Sequence, residues 1–164
     1  MLKPDIRLNR ITDVSEQMLK NIGISALILD VDNTLSTHHG SEYVVGLENW
    51  LDGMRTAGIK LLILSNSKEK RVKPFADGLG LAYISLGLKP LPIGYLRCLK
   101  KLGTKRKNTA IVGDQIFTDV LGAKLSGITA ILTRPILPED KLSFRIRRKA
   151  EKFLLKKYYG GEEI

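Results

Sequence analysis

Short apolar runs recur along this chain, each closed by glycine or a small polar residue, with amphipathic stretches between them. Ala26–Asp30, Ile59–Leu64, Ala82–Ser85, Thr109–Val112 and Ile128–Thr133 are continuous rather than alternating, the pattern of strands buried on both faces. The intervening segments have helical spacing. Leu47–Ala57 puts Leu47, Trp50, Leu51 and Met54 on one face and stops at Gly58; Lys68–Gly78 and Pro92–Leu102 follow, then a short helix over Asp119–Leu125 before Gly127. Ahead of the first strand, residues 1–12 read as an extended lead-in, since Pro4 opposes helix. Asp13–Ile22 is a short helix capped by Asp13 or Ser15 and stopped at Gly23, and Gly40–Gly46 is loop. A last helix opens at Pro138-Glu139-Asp140 and runs to about residue 159, with Leu142, Ile146, Ala150, Phe153 and Tyr158 or Lys157 at helical spacing. No repeat or linker interrupts this order, which predicts one α/β domain over 1–164: a doubly wound, Rossmann-like parallel sheet covered on both faces.

In such sheets ligands bind beyond the carboxyl ends of the strands, so the residues found there carry the functional reading. The first strand delivers Asp30 and Asp32, the second Ser65 and Asn66, the segment after the third Lys89, and the fourth Asp114, with Asp119 at the next helix. Asp30 and Asp32 share a face if the strand continues through both and diverge if it ends between them. Each residue also has a plain alternative: Asp30 to Asn33 and Asp114 as turn formers, Ser65 as a helix cap, Lys89 as a solvated loop lysine. Their joint arrival at equivalent strand ends favours chemistry. Carboxylates without a histidine or cysteine cluster suit a hard cation, most naturally Mg²⁺. A lysine and a hydroxyl complete a set able to neutralise a phosphoryl group, which a carboxylate can attack as nucleophile.

Composition adds limits. A hydrophobic content of 43% is ordinary for a globular protein, and no apolar run is long enough to span a bilayer. The start Met1-Leu2-Lys3-Pro4-Asp5 has no signal-peptide core, so a cytoplasmic location is expected. Cys98 is the single cysteine, which excludes an internal disulfide and a cysteine-based zinc site and reads as a small core residue; Trp50 belongs to the core face of its helix. His38 and His39 read as exposed loop residues. The net charge of +10 is concentrated: eight lysines and arginines against Glu151 alone lie between Lys141 and Lys157. That basic amphipathic helix has two readings, a solvated face on a packed helix or a peripheral contact with an anionic membrane. Sparse aromatic interleaving disfavours nucleic acid as a partner.

The boxes Asp30-Val-Asp32-Asn-Thr34-Leu, Ser65 after an apolar strand, Lys89-Pro90, and Gly113-Asp114-Gln-Ile-Phe-Thr-Asp119 resemble, in order, the four motifs of haloacid dehalogenase-like (HAD) phosphatases. Their wording is similar to the YqeG-like branch of subfamily IIIA, itself similar to the mitochondrial phosphatidylglycerophosphate phosphatases. The resemblance implies a HAD-like fold and a Mg²⁺-dependent phosphomonoester phosphatase. It implies Asp30 as nucleophile and metal ligand, and Asp32 as general acid/base that also binds the metal through its main-chain carbonyl. Thr34 would support that loop, Ser65 would bind a phosphoryl oxygen with Asn66 beside it, and Lys89 would neutralise phosphate and nucleophile. Asp114 would bind the metal, and Asp119 would support it or touch it directly. The gaps Leu35–Leu47 and Ser65–Lys89 are too short for a separate cap domain, so the site is expected to be open. An open site suits a large phosphorylated substrate, with phosphatidylglycerophosphate as the preferred expectation, unless an oligomer partner supplies a lid. The rival expectations are a small soluble metabolite or a nucleic-acid phosphate end as substrate, or a phosphoacceptor or non-catalytic interaction protein on the same fold.

Overall fold

The structure is a computed structural model, which describes residues 2–37, 42–137 and 142–159. His38, His39 and the predicted helix start at Pro138 fall outside them, as do the side chains at 142–145, 147 and 148.

Six parallel strands form one sheet: β1 (Ile6–Leu8), β2 (Ala26–Leu29), β3 (Lys60–Leu64), β4 (Ala82–Ile84), β5 (Thr109–Gly113) and β6 (Thr129–Thr133), in the order β1-β6-β5-β2-β3-β4. The helices are α1 (Glu16–Asn21), α2 (Leu47–Thr56), α3 (Glu69–Gly78), α4 (Pro92–Leu102), α5 (Leu121–Ser126) and α6 (Leu142–Tyr159). The five predicted strands are present. The lead-in adds a sixth, because Ile6–Leu8 pairs in register with Ile131–Thr133 at the sheet edge. Ser15 is the cap of α1, its Oγ accepting from Met18 N–H at 3.1 Å.

Continuous apolar strands bury both faces. Leu27, Leu29, Ile63 and Val112 face one layer with Leu19, Leu51 and Val72 from α1, α2 and α3. Ile28, Leu62, Leu64 and Ile111 face the other, with Tyr95, Cys98 and Leu102 of α4, Ala123 of α5 and Val120 just before it. Trp50 is half-buried against the first layer and donates to Val14 O at 2.8 Å. From β2 the chain moves outward to β3 and β4, then crosses back to β5 on the other side of β2. The reversal opens a crevice at the carboxyl ends of β2 and β5, where this topology places ligands. Among the described residues, neither the β2–β3 nor the β3–β4 connection contains a further folded unit.

Helix α6 presents two different faces. Its packed face carries Leu154, Leu155 and the buried Glu151, whereas Ile146, Ala150 and Phe153 point outward. Both stripes have helical spacing. The buried hydrogen bonds of Glu151 and the apolar contacts of its neighbours decide which one faces the domain.

Candidate active site

β2 ends at Leu29, and the chain then turns tightly: Leu35 N–H and Ser36 N–H both donate to Val31 O, and Asn33 adopts a left-handed backbone (φ 60°). Asp30 and Asp32 therefore take different partners. Asp30 is buried, and the Lys89 ammonium donates to its Oδ1 at 2.5 Å. Asp32 lies at the mouth and is ion-paired to Arg71 of α3, whose other Nη donates to Ser67 Oγ at 3.2 Å. Nothing near Arg71 in sequence marks it, since its partner is 39 residues away.

Lys89 comes from the segment between β4 and α4. Asn66 fixes it from both sides, its Nδ2 donating to Lys89 O at 3.0 Å and its Oδ1 accepting from Lys89 N–H at 2.7 Å. That amide thus positions the lysine, a role beyond lining the site. The ammonium also donates to Asp119 Oδ1 at 2.7 Å, and Asp119 Oδ2 accepts from Gln115 N–H at 3.2 Å. Ser65 is buried at the end of β3, where its Oγ accepts from Ser67 N–H at 3.1 Å. Thr34 is buried in the loop after Asp30, and its Oγ1 has no hydrogen-bond partner among the described residues.

Asp119 sits on a wide helical turn, Ile116–Val120, that leads into α5. Wide turns of this kind often occur at functional sites. Its carboxylate lies over Gly113: a Cβ there would stand 2.3 Å from Asp119 Cγ, so only glycine leaves it room. Buried Glu151 closes the start of the turn, accepting from Ile116 N–H at 2.7 Å and Phe117 N–H at 3.3 Å. Glu151 and Arg71 escaped sequence reasoning because both reach the site from distant elements.

Ligand oxygens of Asp30, Asp114 and Asp119 all lie within 4.8 Å of one another, each residue buried. Burial pushes the Asp30 carboxyl up, Lys89 opposes the shift and Asp119 reinforces it, leaving it at about 7. Burial alone would lower Lys89; contact with Asp119 and Asp30 more than reverses this and raises it. Among the described residues Lys89 pairs with Asp30 and with Asp119. An all-oxygen donor set of this kind fits a hard divalent cation.

A family model for haloacid dehalogenase-like hydrolases matches residues 44–127, about half of the chain. A second, for mitochondrial PGP phosphatase, matches residues 1–74. A Bacillus subtilis protein described as a probable phosphatase, YqeG, is 32% identical over 152 residues, covering 93% of this chain and 88% of that protein. The chain belongs to the haloacid dehalogenase-like hydrolases. Within that superfamily it stands with the phosphatases.

Solved structures support the HAD-like fold. A Legionella pneumophila protein assigned to subfamily IIIA of the HAD hydrolases superposes with a TM-score of 0.57 at 23% identity, covering 74% of this chain and 71% of the other. The 3-deoxy-D-manno-octulosonate 8-phosphate phosphatase of Moraxella catarrhalis, solved with magnesium, phosphate and KDO, gives 0.55 at 22% identity, covering 74% and 75%.

Proposed function

We propose that this HAD phosphatase hydrolyses phosphomonoesters through an aspartyl-phosphate on Asp30, with Mg²⁺ as cofactor and phosphatidylglycerophosphate as preferred substrate. The observation that carries the chemistry is the bridge from Lys89 to Asp30 and Asp119, beside Asp114. Asp30 Oδ attacks phosphorus while the ester P–O bond breaks, and Asp32 gives its proton to the departing alkoxide. Asp32 then takes a proton from water as that water attacks phosphorus. The Asp30–phosphorus bond cleaves, which frees inorganic phosphate and restores both residues. Lys89 and the Ser65 hydroxyl hold the phosphoryl oxygens in line, with Asn66 fixing Lys89 by its backbone. Asp30, Asp114 and the main-chain carbonyl of Asp32 would hold the metal, with Asp119 and Thr34 supporting them. When bound, the cation neutralises charge on the transferring phosphoryl group.

The lipid assignment is supported by the PGP phosphatase model over residues 1–74 and by the absence of any cap among the described residues. The outward face of α6 adds to it, since Ile146 and Phe153 are exposed among Lys149, Lys152, Lys156 and Lys157. No helix of the described residues is long and apolar enough to cross a membrane. We read the protein as one domain that reaches its substrate from the cytoplasmic side by peripheral contact.

The test is phosphate release from phosphatidylglycerophosphate and from an aryl phosphate, with and without Mg²⁺. Asp30→Asn and Asp32→Asn should each lose about 10²–10⁴ of the Mg²⁺-dependent turnover, with wild type preferring the lipid. Turnover of the aryl phosphate alone would keep the mechanism and overturn the lipid assignment. Turnover that survives in Asp30→Asn would overturn the mechanism.

A further inference from the structure

The segment that carries Lys89 into the site turns its neighbours outward. Leu86, Leu88, Leu91 and Ile93 are each 54–55% exposed, and Leu96 in the second turn of α4 is 41% exposed. Leu86 and Leu88 also have left-handed backbones (φ 48° and 54°), which leucine rarely adopts. The surroundings impose that conformation: Leu86 N–H donates to Ser67 O at 3.0 Å and Gly87 N–H to Ser65 O at 2.9 Å. A Cβ at Gly87 would stand 2.5 Å from Leu64 Cδ1, so the glycine packs inward while the leucines on either side project. Across the mouth, Ile136 and Leu137 are also exposed, and their N–H groups donate to Asn33 O and Asn33 Oδ1, both at 3.3 Å. Apolar side chains thus flank both sides of the opening above Asp30.

Charge identifies what covers them. Arg97 and Lys100 are exposed on α4 behind the leucines, while Lys68 and Arg134 are exposed next to Ser67 and Thr133. Projecting leucines backed by cations suit a surface with an anionic skin over hydrocarbon. A second protein copy carrying the same charges would be repelled.

We infer that the apolar rim of Leu86, Leu88, Leu91 and Ile93 inserts into the interface of an anionic bilayer and seats the open site over headgroup phosphates. This rests on the lipid-phosphate reading above and gives it a docking geometry distinct from α6. The rim enters the lipid, and Lys89, carried on the same short segment, meets the phosphate just beneath the surface.

The test is binding of the full chain to phosphatidylcholine vesicles with and without phosphatidylserine, a lipid that is neither substrate nor product. The rim variant is Leu86→Asn, Leu88→Asn and Leu91→Asn combined, asparagine being tolerant of left-handed backbone. Wild type should bind only the anionic vesicles, and the variant at least about tenfold more weakly, with aryl phosphate turnover unchanged as the check on folding. Leu91→Trp, a milder change, should shift its emission to the blue on anionic vesicles once the Trp50 emission of the unsubstituted chain is subtracted. Wild-type vesicle binding that is absent or survives in the rim variant, or a Leu91→Trp emission that does not move, overturns the inference. A dimer that the rim variant dissociates also overturns it, by assigning the leucines to a second copy. Hydrolysis of phosphatidylglycerophosphate in detergent micelles tests the substrate separately, because it needs no bilayer docking.

Discussion

Asp32 and Arg71 meet at the mouth, where the carboxylate is 16% and the guanidinium side chain 35% exposed. A pair this open contributes little to stability, about 0–1 kcal/mol. On the proposed mechanism its value would lie in holding Asp32 where a leaving oxygen would stand. Arg71→Ala should therefore leave the melting temperature nearly unchanged and lower kcat for an aryl phosphate about tenfold; thermal unfolding and steady-state kinetics on the same preparation check both halves. Gly113→Ala should act differently. The added methyl meets the Asp119 carboxylate, so overpacking of about 1–3 kcal/mol should accompany loss of the Lys89 contact, lowering stability and turnover together. Cys98 gives a control that is independent of catalysis. It is fully buried in α4, and burial pushes its thiol up to about 12. A thiol reagent at neutral pH should label it only on unfolding, so labelling of the native protein would show that α4 opens.

At the scale of elements, the strands were legible because both of their faces are buried and their apolar runs are unbroken. The residues at their carboxyl ends were legible for a related reason, since the sheet itself brings Asp30, Ser65 and Asp114 to one edge. Arg71 and Glu151 were not, because each acts on a partner set by tertiary packing. α6 shows the limit most clearly: two helical stripes competed, and the buried carboxylate of Glu151 settled which one packs. Glu151→Ala should cost about 1–3 kcal/mol and reduce turnover, because the turn that carries Asp119 loses an acceptor at its start. Glu151→Gln retains one carbonyl oxygen and should recover part of both. Equal loss in the two variants, by denaturant unfolding, would show that the negative charge matters more than the hydrogen bonds.

For the whole molecule, a cation bound at the acid cluster would couple its binding to folding. Asp30 titrates near 3.9 in an unfolded chain and at about 7 in the fold. Between those values the metal-free fold keeps a proton that the unfolded chain has released. The contribution of Asp30 to stability therefore falls as pH rises through about 4 to 7. A divalent cation competes with that proton. The rise in melting temperature on adding Mg²⁺ should be small at about pH 5 and larger at about pH 8. Equal shifts at both would show that the cation binds away from Asp30.

The pairing of Ile6 with Ile131 bears on how a ribosome delivers this fold. β1 is made before the other strands of this sheet and is the last of them to find a neighbour, because β6 must be complete before it has an edge to join. Asp30 emerges early on a strand whose two flanks, β3 and β5, both come later. Lys89 then leaves the tunnel ahead of Asp114 and Asp119, so a growing chain holds a cation for its first buried acid before the other two arrive.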